Sequence, residues 1–243
     1  MPYLSLRGVE SYHEVAGDGA PVVLLHGGGC SLEVLQPMAT ALDPGYRTYA
    51  AERPGHGRTP DREGSFSYAD VLADTLAYLD ALGLPDAHLV GFSDGAIAAL
   101  LLARDHPDRV RSVVAISANI DPSGFVEGGP ERAMPLDLAH AIEARNAELA
   151  PGGAAEVARV EEKLHALWTT EPHIAATSLG TITAPTLVMA GQYDMVSLEH
   201  TALIARSVPG GQLCIVPDAG HLLIVERPAF VGYVVRDFLD ALH

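Results

Sequence analysis

Hydrophobic and polar residues along this chain follow two alternating periods. Short apolar runs rich in β-branched residues, as in 21–25 and 110–116, end at glycine or polar residues and are typical of strands buried on both faces. Between such runs, apolar residues recur every three or four positions, most clearly over 67–84, and this spacing predicts amphipathic helices. Strands that alternate with long helices predict right-handed βαβ units and a mostly parallel sheet flanked by helices, which is an α/β fold.

The same patterns divide the chain into a core and an insertion. The strand–helix alternation breaks after about residue 120 and resumes near residue 184. We therefore expect an α/β core made of 1–120 and 184–243, with a helical cap insertion at 121–183. Ligands of open α/β sheets bind beyond the carboxyl ends of the strands, so the cap is expected to cover that edge. The predicted strands and hairpin cover 3–15, 21–29, 87–92, 110–118, 184–191 and 211–220, and 46–57 is predicted as a strand that runs into a Gly/Pro loop. The predicted helices cover 32–43, 67–84, 95–107, 136–149, 154–168, 198–209 and 228–243.

Composition narrows the class of protein. The 243 residues carry a formal net charge of −16, and 48% of them are hydrophobic, which indicates a globular chain able to bury a core. The excess of acid argues against nucleic acid or an anionic membrane as a partner, because both need clustered Lys and Arg. With two cysteines, no signal-like N-terminus and no apolar run of about 18 residues, a cytoplasmic protein without a disulfide framework or membrane span is expected. The sequence leaves the oligomeric state open.

A candidate nucleophile lies in the run Gly91-Phe92-Ser93-Asp94-Gly95, between a predicted strand and a predicted helix. The run matches G-x-S-x-G in its strand–turn–helix context, where a sharp turn holds the serine hydroxyl above the sheet. Side chains at the two glycines would clash with neighbouring chain. The next backbone N–H lies at a helix N-terminus, where it can stabilise an oxyanion. The alternative is a chance match in a glycine-rich protein.

A serine nucleophile needs a base, and the base needs an acid to orient it. In this kind of fold the three residues follow the order Ser, acid, His. Among the histidines after Ser93, only His221 falls in a loop directly after a predicted strand. Asp194 follows a buried run and a glycine turn, whereas Asp218 lies three residues before His221 and is expected to be a turn residue. We predict that Ser93, Asp194 and His221 form a catalytic triad.

The second oxyanion donor is expected in the glycine loop that follows the strand at 21–25. Backbone without side chains lets an amide approach a substrate oxygen closely. Gly28 is the first choice for this donor and Gly29 the second, and the backbone N–H of Asp94 completes the pair. The alternative is a simple flexible loop. The His, Asp and Glu residues lack metal-binding spacing, and the glycines match neither G-x-G-x-x-G nor a P-loop, so we predict no metal and no cofactor.

Five motifs, taken in order, resemble one known family. The segments "LLHGGG", "ERPGHGRT", "GFSDGA", "AGQYD" and "AGH" look like the α/β-hydrolase fold over nearly the whole chain. The resemblance implies an α/β-hydrolase fold and hydrolytic chemistry at a Ser-His-Asp triad. Glu52 departs from the family pattern, in which many members have Asp before "RPGHG", and this position is expected to be structural.

A narrower resemblance concerns the side chain of Asp94. The segments "GFSDGAIAALLLARDHPDRVRSVV" and "PTLVMAGQYDMVSLEHTALIARSVPGGQLCIVPDAGH" are similar to the valacyclovir hydrolase (biphenyl hydrolase-like) group. Members of that group are serine esterases that prefer α-amino-acid esters, and the resemblance implies that Asp94 holds the ammonium group of the substrate. The alternative is that the Asp94 side chain caps the following helix or bonds a neighbour.

Together, these features predict an enzyme that cleaves a small-molecule ester through an acyl-enzyme intermediate. On the same triad, the alternatives are a C–C bond hydrolase, an enol-lactonase, an aminopeptidase and a perhydrolase. A hydrolase-fold ligand receptor is the non-enzyme alternative. Apolar residues of the cap are candidates for the pocket lining, although they could equally join the cap to the core. They are Phe125, Met134, Leu167 and Trp168.

Overall fold

The centre of the molecule is a sheet of eight strands with helices on both faces. The computed structural model describes residues 2–126 and 132–242. The strands are β1 (Tyr3–Leu6), β2 (Val9–Ala16), β3 (Gly19–Leu25), β4 (Gly45–Ala51), β5 (Ala87–Phe92), β6 (Val110–Ile116), β7 (Thr186–Gly191) and β8 (Gln212–Val216). The helices are α1 (Gln36–Leu42), α2 (Tyr68–Ala81), α3 (Asp94–Asp105), α4 (Leu136–Leu149), α5 (Gly153–Thr170), α6 (Leu198–Ser207), α7 (Leu223–Glu226) and α8 (Pro228–Asp240).

The strand order positions the loops that follow β3 and β5 beside each other. The order is β1-β2-β4-β3-β5-β6-β7-β8, with β1, β2 and β4 paired antiparallel and all later neighbours parallel. From β3 the chain goes first to β4 on one side and later to β5 on the other, so the direction of winding changes there. Crevices that bind ligands form at such a change, beyond the carboxyl ends of the strands.

Buried strands supply both faces of the core. Leu89 and Val113 point to the side covered by α2 and α3, whereas their neighbours Val90 and Val114 point to the side covered by α1 and α8. This alternation explains why the strands read as continuous apolar runs, since each face packs against helices. Ten of the twelve residues of α3 are buried, so this helix is apolar all round and lies inside the molecule.

Most predicted elements are present, with two differences. The helix predicted at 32–43 is divided into a 3-10 turn at Leu32–Leu35 and α1. Pro37 lies in the first turn of α1, where its missing N–H removes no intrahelical bond. The short helix α7 was not predicted, because four residues are too few to show a helical period.

Two long helices lie in the range predicted as a cap. They are α4 and α5, which contact each other. Polar contacts tie them to the core: Arg145 pairs with Glu33 at 2.9 Å, and Lys163 pairs with Asp61 at 2.7 Å. The division of the chain at 121–183 stays a prediction. Over residues 2–126 and 132–242, none of the helices is both long enough and apolar enough to cross a membrane.

Two histidines are buried against each other, His26 in the loop that follows β3 and His56 in the loop that follows β4. The rings of His26 and His56 lie 5.0 Å apart between centroids, and both side chains are almost fully buried. Burial lowers the pKa of His26 well below its ordinary value and that of His56 to about 3, and the nearby charge of Arg53 lowers both pKa values further. Both histidines are therefore neutral in the folded protein near neutral pH.

These low pKa values predict that acid destabilises the fold. In the unfolded chain both histidines take protons near pH 6.5, so their contribution is fully present above that pH and is lost as the pH falls toward the folded-state pKa. The free energy of unfolding should fall by up to about 1.4 kcal/mol per pH unit for each histidine in this range. Urea unfolding between pH 7 and pH 5 measures this slope. We expect His56→Gln to reduce the slope and the exposed-site control His165→Gln to leave it unchanged; an equal slope in wild type and His56→Gln would contradict the account.

Candidate active site

The turn between β5 and α3 holds Ser93 in a strained backbone conformation. Ser93 has φ of +52°, in the left-handed region that side chains rarely adopt, and its N–H donates to Ile116 O at 2.8 Å. A Cβ added to Gly91 would lie 2.3 Å from Gly95 O, and one added to Gly95 would lie 2.2 Å from Leu25 O. The two glycines of the motif are therefore required by close backbone contacts, and the turn presents the Ser93 hydroxyl at the sheet edge.

Hydrogen bonds connect the three side chains that the sequence predicted as a triad. Ser93 Oγ lies 3.1 Å from His221 Nε2, and Asp194 Oδ1 lies 2.7 Å from His221 Nδ1. An ionised carboxylate only accepts hydrogen bonds, so Nδ1 carries the imidazole proton and Nε2 is free to accept from the serine. Asp194 and His221 are buried, whereas Ser93 is partly exposed. The arrangement can move a proton from Ser93 to His221.

Groups other than His221 also donate hydrogen bonds to Asp194. Its Oδ2 accepts a hydrogen bond of 2.5 Å from Ser117 Oγ, and its Oδ1 also accepts from Val196 N at 3.1 Å. Burial alone raises the pKa of Asp194, but the charge and hydrogen bond of His221, together with Ser117 and Val196, outweigh burial and hold the pKa below its ordinary value. Asp194 is therefore ionised at neutral pH.

Ser117 was not predicted from the sequence. It follows β6, and its φ of +57° is strained for a residue with a side chain. The sequence analysis placed Ser117 inside the predicted strand at 110–118, whereas β6 ends at Ile116, so the serine lies after the strand end, as Asp194 does after β7.

Asp218, the alternative to Asp194 as the acid of the triad, lies away from His221. Asp218 is exposed and pairs with Arg227 at 2.7 Å and with Arg132 at 3.0 Å. It therefore belongs to a surface turn, as predicted. The structure brings Asp194, and not Asp218, to the imidazole of His221.

The glycine loop lies against the nucleophile turn. Gly28 lines the same cavity as Ser93 and His221, whereas Gly29 lines only a neighbouring cavity. A Cβ at Gly28 would lie 2.5 Å from Asp94 Oδ2 and 2.6 Å from Trp168 Cζ2, so this position has no room for a side chain. The N–H of Asp94 belongs to the first turn of α3 and has no partner within the helix. The positions of Gly28 and Asp94 favour the first choice of oxyanion donors.

One oxygen of the Asp94 carboxylate accepts hydrogen bonds from neighbouring side chains, and the other has no hydrogen-bond partner among the described residues. Its Oδ1 accepts hydrogen bonds from Tyr68 Oη at 2.9 Å and from Trp168 Nε1 at 3.0 Å. Its Oδ2 lies 3.5 Å from Arg53 Nη2, and the side chain is only 2% exposed. The alternative in which Asp94 bonds its neighbours is therefore the arrangement in the structure. An ammonium-binding role stays a prediction, and it would require this carboxylate to serve a further cation beside Arg53.

A largely apolar cavity of about 320 Å³ opens over Ser93. Three of the four apolar residues proposed from the sequence, Phe125, Met134 and Trp168, line this cavity. The fourth, Leu167, packs into the core and is 2% exposed, so for this residue the core-packing alternative holds. We name this space the site cavity; it has the size and character of a small-molecule site.

The described side chains offer no metal centre. Across 2–126 and 132–242, no three His, Cys, Asp or Glu side chains are placed together so that they could hold a metal ion. Cys30 lines the site cavity, but burial raises the pKa of its thiol to about 12, so it is not a thiolate ligand near neutral pH.

Comparison with known proteins identifies the family of this chain. Residues 22–231 match the alpha/beta hydrolase family. The chain is 31% identical to a putative carbamate hydrolase RutD of Variovorax paradoxus, over 94% of this chain and 95% of the relative. It is 30% identical to the carboxylesterase YbfK of Bacillus subtilis, over 98% and 86%. The solved structure of Est816, described as an N-acyl homoserine lactone degrading enzyme, has the same fold, with a TM-score of 0.81 and 24% identity over 98% of this chain and all of the other. This chain belongs to the alpha/beta hydrolase family and is an enzyme of the hydrolase class.

Proposed function

We propose that the protein is a serine hydrolase that cleaves small-molecule carboxylic esters through an acyl-enzyme. The observation that carries the proposal is the continuous path from Ser93 Oγ through His221 to Asp194, which opens into the site cavity. The identified relatives support an enzyme rather than a ligand receptor. A triad of this kind acts as nucleophile, base and orienting acid.

The proposed reaction has two acyl-transfer steps. His221 takes the proton of Ser93 Oγ as that oxygen attacks the ester carbonyl, and the backbone N–H groups of Gly28 and Asp94 hold the oxyanion. His221 then gives the proton to the leaving alcohol, so that a C–O bond breaks and an ester to Ser93 remains. Water, activated by the same imidazole, releases the acid in the second step. Asp194 fixes the imidazole tautomer and stabilises its cation.

The lining of the site cavity favours neutral substrates. Within the part of the chain that the structure describes, neither Lys nor Arg lines it. A substrate that carries a carboxylate would lose its hydration there without gaining a cationic partner. This favours an uncharged ester over an acidic substrate of a C–C bond hydrolase or an enol-lactonase.

Steady-state hydrolysis tests this function. p-Nitrophenyl butyrate and alanine benzyl ester, the latter with a free or acetylated amine, should be cleaved by wild type and not by Ser93→Ala. Turnover of these esters by Ser93→Ala at the wild-type rate would overturn the proposal. A preference for the free amine that Asp94→Asn removes would support ammonium binding by Asp94. Turnover of diketone acids or enol-lactones with no ester turnover would assign one of the alternatives.

We also propose Ser117 as a positioning residue for Asp194. Losing its hydroxyl leaves one carboxylate oxygen of Asp194 without its shortest hydrogen bond, which loosens His221 and concentrates negative charge beside it. We expect Ser117→Ala to lower kcat by about ten-fold or more, since a hydrogen bond to a charged group contributes about 1.5–3 kcal/mol. Because Ser117 also lines the site cavity, the pH profile rather than KM distinguishes the positioning role. The acid limb of the kcat/KM profile should move to higher pH, because the more concentrated charge favours the imidazolium.

The matched variant is Ser117→Gly. Glycine adopts a positive φ without strain, so this variant lacks the hydroxyl but relieves the backbone. If the hydroxyl acts on Asp194, both variants lose kcat and show the same shift of the acid limb. If Ser117→Gly keeps full activity and the wild-type profile, only the backbone conformation matters and the positioning role is wrong.

A further inference from the structure

A second cavity, which the proposed chemistry does not use, lies between α4 and α5. It has a volume of about 290 Å³, and we name it the inter-helix cavity. Ala139 and Ile142 of α4 and Val157 and Val160 of α5 line it. Its volume is close to that of the site cavity, so it has room for one arm of a small-molecule substrate.

The two cavities adjoin at the glycine loop that follows β3. Gly28, Cys30, Met134, Trp168 and Leu222 line both of them. In the proposed reaction the oxyanion lies at Gly28, so a substrate carbonyl held there could extend one arm toward each cavity. The inter-helix cavity therefore adjoins the place where the ester bond would be broken.

The position of the base decides which arm enters which cavity. His221 lines the site cavity and does not line the inter-helix cavity. The imidazole must protonate the leaving oxygen, so the alcohol arm of the substrate lies in the site cavity, on the same side as His221. The acyl arm leaves the carbonyl carbon in another direction, past Gly28 and Trp168. That direction leads between α4 and α5.

Charge at the second cavity decides which acyl chains it accepts. Glu143 of α4 and Glu161 of α5 both line it and both are exposed, which places them at its mouth. Neither carboxylate forms an ion pair within 2–126 and 132–242, and over the same residues the lining includes neither Lys nor Arg. An acyl chain ending in a carboxylate would face two like charges, whereas an uncharged or cationic end would not.

We propose that the inter-helix cavity is the acyl pocket, and that it selects medium-length apolar acyl chains whose far end is uncharged or cationic. This inference rests on the proposed ester hydrolysis. It makes Ala139 and Val157 determinants of acyl length, and Glu143 and Glu161 determinants of charge selectivity.

The test compares chains on the two sides of the ester. The substrates are p-nitrophenyl acetate, p-nitrophenyl octanoate, the p-nitrophenyl ester of the matching ω-carboxy acid, and octyl acetate, which carries the chain on the alcohol. Ala139→Phe should fill the pocket and lower kcat/KM for the octanoate by about ten-fold or more, while the two acetates keep their values. Val157→Phe, on the facing helix, should act in the same way. Ala144→Phe, on the exposed side of α4, is the control.

The charge test uses Glu143→Gln combined with Glu161→Gln. Wild type should discriminate against the ω-carboxy ester by about ten-fold relative to the octanoate, and the double variant should narrow this gap. Glu162→Gln, at an exposed position outside the cavity lining, should leave the discrimination against the ω-carboxy ester unchanged. The acyl assignment is overturned if Ala139→Phe and Val157→Phe leave the octanoate unaffected, or if they affect octyl acetate instead. If wild type shows no Ser93-dependent turnover of any ester, the proposed function itself is refuted. This result differs from unchanged octanoate turnover in the pocket variants, so failure of the function and failure of the acyl assignment are distinguishable.

Discussion

Replacing Ser93 with alanine is expected to abolish ester hydrolysis, with kcat lowered by on the order of 10⁶. The hydroxyl is the only nucleophile that the geometry of Ser93, His221 and Asp194 can activate among the described residues. Alanine keeps the side-chain volume nearly unchanged at the turn. The fold should therefore persist, which thermal unfolding of the variant would verify. Ser5→Ala, on the exposed part of β1, is the control and should keep wild-type kcat.

The acid of the triad should be assigned in the same assay. We expect Asp194→Asn to lower kcat by about 10⁴, because the amide no longer holds the imidazole in the productive tautomer. Asp218→Asn should leave kcat unchanged, because Asp218 pairs with surface arginines and does not reach His221. Loss of activity in Asp218→Asn with retention in Asp194→Asn would show that the wrong acid is assigned.

Replacing Gly28 with alanine is also expected to lower kcat strongly, although less than the changes at Ser93 and Asp194. The added methyl group would collide with Asp94 Oδ2 at 2.5 Å and with Trp168 Cζ2 at 2.6 Å, so the loop or the Asp94 turn must move. Either movement displaces an oxyanion donor. Removal of one such donor costs about 10²–10³ in kcat, and we expect a loss of that size.

Gly29→Ala is the matched comparison for this prediction. A Cβ at Gly29 would enter open space, but its φ of +68° strains any residue with a side chain. We therefore expect Gly29→Ala to lower the free energy of unfolding by about 1–2 kcal/mol while retaining most of kcat. Measured kcat and Tm of both variants separate the two positions. If Gly29→Ala loses the greater part of kcat and Gly28→Ala does not, Gly29 is the donor.

The sheet and the proximity of the three predicted triad residues were predictable because each depends on local sequence. Buried parallel strands appear as apolar runs, and their carboxyl ends meet at one edge, so residues after strand ends were expected to lie together. Ser93, Asp194 and His221 all follow strands, and the structure brings them into contact. The motif also predicted close contacts at Gly91 and Gly95, but only the contact of Gly91 with Gly95 arises within the turn, whereas Gly95 is close to Leu25 at the end of β3.

The surroundings of Asp94 depend on tertiary contacts that no local pattern encodes. The sequence left open whether its side chain binds substrate or bonds a neighbour. Its partners come from three separate places: Tyr68 on α2, Trp168 on α5 and Arg53 after β4. Nothing in the spacing of these residues predicts that they converge.

The two cavities were also outside the reach of the sequence. Leu167 and Trp168 are adjacent in α5, yet Leu167 packs into the core whereas Trp168 lines both the site cavity and the inter-helix cavity. Which of them lines a pocket depends on how the helix is rotated against the sheet. The amphipathic pattern of the helix gives the buried face but not the gap left between two helices.

The central claim is that Ser93 becomes covalently acylated. Intact-protein mass spectrometry after treatment with a fluorophosphonate ester, followed by peptide mapping, tests this most directly, because the reagent traps a serine activated by its own base. We predict a single phosphonyl adduct on Ser93 in wild type, no adduct in Ser93→Ala, and much slower labelling in Asp194→Asn. An adduct on a different residue, or wild type that hydrolyses esters yet stays unlabelled, would contradict the assignment.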